Sequence, residues 1–423
     1  MNFDQIGIRP GELLTPAPHI DPAKWAVIAC DQYTSQPEYW QEVARIVGDT
    51  PSCLKLVLPE CYLPESEVRI PAIHREMHRC LTGGVFTVND NSMMLVERTT
   101  QSGKRLGLVC LTDLEAYSYS GEKSLVRPTE ETITARLPAR MAIRRDAPLE
   151  SAHIMLLIDD PEKTVIEPLY ERCAAAMSAY DFELMQGCGH LRGEVITREA
   201  DLRQVCDALT ALKEKQGADP LLYAVGDGNH SLASAKAHWE EIKTGLTPEQ
   251  QAVHSARYAM VEIVNIHDPA LQFEPIHRVL TGVADCDLMA EWAAYAAARG
   301  MTLTEGAAEG AHTFPCILGG SERVVSVLSP EDPLPVATLQ RFLDDLLARH
   351  PEISIDYIHG DDVLRQLSCE AGSAGFLLPA LDKASFFPAI DALGTLPRKT
   401  FSMGHAHEKR CYMECRRIDT LMP

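Results

Sequence analysis

Leu221-Leu-Tyr-Ala-Val-Gly-Asp-Gly-Asn-His-Ser-Leu-Ala-Ser-Ala-Lys-Ala-His-Trp-Glu-Glu-Ile-Lys243 is the stretch that decides the fold. Leu221 to Val225 is a short apolar run with the length of a buried strand. Gly226-Asp227-Gly228-Asn229 ends it with two glycines and two residues that tolerate left-handed backbone. From Ser231 the period changes: Leu232, Ala235, Trp239 and Ile242 form one stripe of a helix. Ser231 or Asn229 is placed to cap that helix, and Thr244-Gly245 to end it. The reading is strand, tight turn, helix. A helix N-terminus offers unpaired N–H groups and the positive end of a dipole, and Gly226 and Gly228 let a phosphate approach the backbone. Asp227 and His230 beside it can move a proton or ligate a metal. The plain alternative is a βα turn of ordinary turn residues. No Gly-Lys-Ser/Thr follows the glycines, so this is not a Walker motif.

A second strand-to-helix junction lies upstream. Trp25 to Cys30 reads as a buried strand, Asp31-Gln-Tyr33-Thr-Ser35 as its polar mouth, and Pro37 to Val47 as a helix with proline in its first turn. Asp31 and Tyr33 are site candidates against a reading as capping and packing residues. Leu54 to Leu58 reads as another strand, and 165–179 as a helix. In Leu125 to Arg140 a helix presents Thr132, Arg136 and Arg140 on one face, with Pro138 as a kink or break. His277-Arg278 after a proline reads as a phosphate clamp or an interdomain salt bridge, since arginine offers a planar fork. From 281 the composition shifts towards alanine and glycine, which places a domain boundary there. Leu339, Phe342, Leu343, Leu346 and Leu347 then form a helix stripe within an α/β alternation. In the tail, His405 and His407 sit two apart beside Glu408, a weak metal pattern or part of the lining of an anionic pocket.

At 423 residues the chain has room for two or three domains. Its net charge of −21 argues against general binding to nucleic acid or to an anionic membrane. Basic residues cluster locally instead, at Arg136–Arg145, His277-Arg278, Arg398-Lys399 and Lys409-Arg410, which suits a small anionic ligand. Thirteen cysteines without a CxxC pair, and an N-terminus whose Asp4 and Glu12 interrupt any apolar leader, point to reduced thiols and a cytoplasmic protein. No apolar run reaches membrane-spanning length.

Several stretches together resemble one family, the domain of unknown function 1015. They are Asp31-Gln-Tyr-Thr34, Arg127-Pro-Thr-Glu-Glu-Thr132 with Arg136, Leu157-Ile-Asp-Asp-Pro161, Gly226 to Ser231, Pro275-Ile-His-Arg278 and Leu396-Pro-Arg-Lys-Thr400. They stand in the family's order over nearly the whole chain. The family's central motif is usually Asp-Gly-His-His-Arg. Asp227, Gly228 and His230 match it, Asn229 replaces the first histidine, and Ser231 replaces the arginine. Arg136 and Arg278 are the candidates to replace that lost arginine. The motif in turn resembles the glycine turn of the ParB and sulfiredoxin-like superfamily, whose members include an ADP-dependent kinase of free serine and hold nucleotide phosphates at this point.

The resemblance implies a mixed α/β fold with a ParB/sulfiredoxin-like core and a C-terminal α/β domain. The expected regions are 1–120, a motif-bearing core at 121–280 packed with it, and 281–423, whose tail (396–412) returns to the site. The function expected is a nucleotide-dependent phosphotransferase acting on a small metabolite, with Mg²⁺ and ATP or ADP. The alternatives are a nucleotide or phosphometabolite-binding protein without turnover, and a metal-dependent hydrolase. Asp227, His230 and Glu130 are the expected catalytic residues. Gly226, Gly228, Asn229, Ser231, Asp31, Tyr33, Arg127, Thr129, Arg136, His277, Arg278, Arg398 and Lys399 are the expected ligand contacts. Asp31 and Glu130 are expected on Mg²⁺, with His405 and His407 as the lesser metal candidates. Neither nucleic acid nor membrane is an expected partner.

Overall fold

Met93 to Val96 and Leu108 to Leu111 are apolar at every position, the pattern of strands covered on both faces. A computed structural model of the chain, describing residues 1–173 and 177–419, has that architecture. Met93, Leu95, Leu108 and Cys110 face one core, which also holds Leu202, Val205 and Leu209 of the helix Glu199–Glu214 and Leu232, Ala235 and Trp239 of the helix Asn229–Lys243. Met94, Val96, Val109 and Leu111 face the other, under Val43 of the helix Pro37–Val47, Ile73 and Met77 of the helix Ser66–Thr82, and the tail residues Cys411 to Cys415.

The sheet between these layers runs in the order Val126–Arg127, Tyr223–Asp227, Ile154–Ile158, Tyr258–Asn265, Gly103–Asp113, Phe86–Thr100, His190–Ile196, Tyr180–Glu183. It is mixed: Tyr223–Asp227 lies parallel to Val126–Arg127 and antiparallel to Ile154–Ile158, which in turn lies parallel to Tyr258–Asn265. The chain divides into two compact units, Met1–Gln272 with the chain from Gly404 onward, and Phe273–Met403. The border thus falls at 272/273 and not at 280/281. Strand Phe273–Thr281 pairs antiparallel with Ser354–His359 and Ser373–Phe376 and belongs to the second sheet. In that unit Trp292 stacks on Phe342 at 5.0 Å, with Phe314 and Phe376 around it, and Leu339, Leu343 and Leu346 of the predicted stripe are buried.

Several local expectations are corrected. Leu54 to Leu58 is no strand: a 3-10 turn at Cys53–Lys55, capped by the Ser52 side chain, leads into irregular chain before Pro59. Before the strand Val27–Ile28, Pro22–Trp25 forms a helical turn capped by Asp21. The helix expected at 165–179 is described as Glu167–Cys173; 174–176 lie outside the described residues, and Tyr180 already begins a strand. Leu125 to Arg140 is not one helix. A 3-10 turn at Thr134–Arg136 precedes the helix Leu137–Arg144, and Pro138 starts that helix instead of kinking it. No helix among the described residues is long and apolar enough to cross a membrane.

The tail is threaded into the first unit. Cys411 and Tyr412 pair with Ile28 and Val27, Leu14 and Cys415 exchange backbone hydrogen bonds, and Arg416 Nε reaches buried Glu150 at 2.6 Å. Glu408 anchors its start, accepting from the Ser102 N–H (3.1 Å), the Ser102 hydroxyl (2.6 Å) and the His405 N–H (3.0 Å). Burial raises the Glu408 pKa, but these donors outweigh it and bring the carboxyl down from 4.5 to about 2. A depressed pKa gives stability that is full above pH 4.5 and is lost as pH falls through about 2. Glu408→Gln is therefore expected to lower the melting temperature near pH 6 and to lose that difference from wild type on acidification, read by melts from pH 6 to pH 2.

Candidate functional site

The quoted stretch folds as strand, turn and helix, with two differences in detail. The strand continues through Gly226 and Asp227 with a bulge, and the turn is a single residue, Gly228, at φ +93°. The helix begins at Asn229, so its cap position is Gly228, which has no side chain to cap it. Asn229 cannot serve as cap because it lies inside the first turn, buried, with its amide turned to Thr129. The Thr129 N–H donates to Asn229 Oδ1 at 3.0 Å, and Asn229 Nδ2 donates to Thr129 Oγ1 at 3.0 Å. The Thr129 hydroxyl in turn donates to the Val225 carbonyl at 2.7 Å. Asn229 and Thr129, both expected as ligand contacts, thus brace the motif instead. Arg127 is likewise buried, its guanidinium on the carbonyls of Ser124 and Asp219. The brace brings the segment 127–133 to the turn: half-buried Glu130 follows Thr129, and the Ile133 N–H points at His230 Nε2 from 3.4 Å.

The centre of the arrangement is a residue that sequence reading placed only in a basic island. Arg410 is fully buried, and its guanidinium joins Asp227 and Asp31, which come from the two strand-to-helix junctions. Its Nη1 donates to Asp227 Oδ2, its Nη2 to Asp31 Oδ2 at 3.2 Å, and its Nε to the His153 carbonyl at 2.7 Å. Tyr412 OH lies 3.4 Å from Nη2 and 3.7 Å from Cys30 Sγ. Burial works to raise the Asp31 pKa, but Arg410, with help from Gln32, takes it below the usual value. Burial, then Asp31, pushes the Cys30 thiol up to about 12, so it is no thiolate nucleophile. Gly228 has a second reason to be glycine: a Cβ there would stand 3.2 Å from Arg410 Nη2.

A pocket of ≈ 120 Å³ adjoins this cluster, with Asp31, Ser231 and Ser234 in its wall and Leu58, Met77 and Ile143 among its apolar lining. Two further acid–arginine pairs border it, Glu60 with Arg140 and Glu150 with Arg144. Burial favours a neutral Glu150, yet Arg144 and Arg416 together hold its pKa below the ordinary value. None of Glu60, Glu150 and Arg416 was singled out from sequence.

The remaining expected residues are placed as follows. Tyr33, at φ +55°, stacks on Tyr39 with centroids 3.8 Å apart. Arg136 is exposed and offers its carbonyl to Arg140 Nη1. His277, Arg278, Arg398 and Lys399 belong to the second unit. There the clamp expectation fails for the first two. His277 is buried between Asp361 (2.9 Å) and the Leu378 N–H (3.1 Å), and Arg278 is buried on Gln340 and the carbonyls of Ile276 and Arg398. Both are internal struts of their strand. Arg398 and Lys399 are exposed, with Arg398 5.8 Å over the Tyr357 ring. The His405 and His407 rings stack at 5.6 Å. Among the described residues no group of three or more His, Cys, Asp or Glu could hold a metal by itself.

The sequence matches the family described as protein of unknown function, DUF1015, over residues 8–346. No curated protein matches the chain. Among solved structures, a free serine kinase mutant in complex with AMP is 11% identical, covers 74% of this chain and 92% of its own, and has a TM-score of 0.40. A conserved hypothetical protein from Pyrococcus furiosus is 13% identical over 74% of this chain and 92% of its own, with a TM-score of 0.34. A C-terminally truncated SbnI from Staphylococcus aureus is 13% identical over 70% and 82%, with a TM-score of 0.34.

Proposed function

The chain belongs to the DUF1015 family of proteins of unknown function, and we propose that this member is a nucleotide-dependent phosphotransferase acting on a small metabolite. One observation carries the reading. A helix N-terminus whose cap position is a glycine turn stands beside two carboxylates locked on a buried arginine, and Asp31 and Ser231 of this arrangement line a pocket of ≈ 120 Å³. The likeness of the turn motif to ParB and sulfiredoxin-like proteins supports the choice of a nucleotide.

On this reading the N–H groups of Gly228 to Ser231 hold phosphate oxygens. Asp31 and Glu130 offer carboxylate oxygens to Mg²⁺, which arrives with the nucleotide, since the described residues gather no complete metal site. Bound Mg²⁺ neutralises phosphate charge. Asp227 is ion-paired with Arg410, so it orients the turn, and His230 is assigned to take the proton of the acceptor hydroxyl. Of the two candidates to replace the motif arginine, Arg136 is exposed and is assigned to the transferring group, whereas Arg278 is buried.

His230→Ala is expected to lower transfer from ATP or ADP to small alcohols by about 100-fold or more, with little change in melting temperature. Product analysis by phosphorus NMR checks this. An unchanged rate in His230→Ala would remove His230 from the chemistry. Nucleotide binding with no product from any acceptor would instead make the protein a nucleotide or phosphometabolite sensor.

A further inference from the structure

Arg98 and Arg105 face each other across the strands Phe86–Thr100 and Gly103–Asp113 and are 1% and 6% exposed. Two like charges buried side by side are unfavourable unless something compensates them. Neither forms an ion pair among the described residues. Arg98 Nη2 donates to the His407 carbonyl at 3.0 Å and Arg105 Nη1 to the Glu408 carbonyl at 3.1 Å. Arg98 Nε and Nη1, Arg105 Nε and Nη2, and His153 Nδ1 are buried and meet no acceptor among the described residues.

Both guanidiniums line one enclosed cavity of ≈ 10 Å³, together with His153, Tyr180, Glu262 and Glu414. Glu262 is held by His153 at 3.1 Å, and Glu414 accepts from the Tyr180 hydroxyl at 2.5 Å. Burial raises the Glu414 pKa; in Glu262 burial acts the same way, but His153 and Arg105 prevail and bring its pKa below the ordinary value. The two guanidiniums thus bring four buried nitrogens without an acceptor among the described residues to this cavity, while its carboxylates are engaged by His153 and Tyr180. The room is that of a single water-sized particle, which excludes phosphate and anything larger.

We infer that the cavity between Arg98 and Arg105 is a binding site for one small monovalent anion of the size of chloride. The anion accepts the N–H groups that the protein leaves unmet and offsets the two guanidiniums paired across the strands. It also has a structural consequence. The same two guanidiniums hold the carbonyls of His407 and Glu408, three and two residues before Arg410, so an anion that fixes them fixes the segment that delivers Arg410 to Asp31 and Asp227.

The test is thermal unfolding of the full-length protein in sodium chloride exchanged for sodium gluconate at constant ionic strength. A saturable rise of roughly 2–4 °C with chloride, reproduced by bromide and lost in Arg98→Met, is expected. No halide-specific rise, or a rise that survives in a folded Arg98→Met, overturns the site. Should Arg98→Met fail to fold, anomalous diffraction from wild-type crystals soaked in bromide decides. A peak between the two arginines supports the site, and water alone at that position refutes it.

Discussion

Arg410→Met is expected to destabilise the first unit by about 3–5 kcal/mol and to lower its melting temperature on the order of 10 °C. The reason is asymmetric. With Arg410 present, two carboxylates share a buried, fully charged guanidinium that also bonds the His153 carbonyl. With methionine there, Asp227 and Asp31 lose the guanidinium they share, and the His153 carbonyl loses its donor. The cost is that of stranded carboxylates, so Asp31→Asn in the Arg410→Met background should recover part of it. Asp31 has a depressed pKa, so the stabilisation it draws from Arg410 is full above its unfolded value of 3.8 and is lost as pH falls through the lower folded value. The deficit of Arg410→Met should therefore shrink in acid. Melts of the single and double variants between pH 7 and pH 3 check both statements. A deficit under 1 kcal/mol would mean that the ion pairs contribute little.

Gly228→Ala is expected to abolish ligand stabilisation at a smaller structural cost. At φ +93° an L-residue is strained by about 1–2 kcal/mol. The added methyl would stand 3.2 Å from Arg410 Nη2 and 3.4 Å from Ile154 Cγ1, and so would press on the guanidinium that sets both carboxylates. The variant should melt only a few degrees lower than wild type, yet lose at least tenfold in affinity for any nucleotide that stabilises wild type. Isothermal titration of both proteins reads this directly.

The strand–turn–helix could be read from Leu221 to Lys243 because the apolar period switches there from a continuous run to a helical stripe, with glycines between. The aromatic and leucine stripe at 339–346 was legible for the same reason. What sequence could not place is the partnership of Arg410 with Asp227 and Asp31, which are 183 and 379 residues away. A basic dipeptide in a polar tail carries no local mark of burial. A signal for the buried arginines did exist: Arg98 keeps step by twos with Met94 and Val96, and Arg105 with Val109 and Leu111. Asn229 misled because turn residues favour caps and ligand contacts, whereas here its two amide atoms match the N–H and hydroxyl of Thr129. Leu54 to Leu58 misled because an apolar run before Pro59 fits a strand as well as a covered irregular segment.

The most direct measurement is the melting temperature of the wild-type protein with ATP, ADP, CTP and GTP, each with and without Mg²⁺, alongside Gly228→Ala. The account predicts a rise of several degrees with at least one nucleotide, larger with Mg²⁺ and absent in Gly228→Ala. No rise with any nucleotide, or an equal rise in Gly228→Ala, would contradict the assignment of the 226–231 turn as a phosphate-binding site.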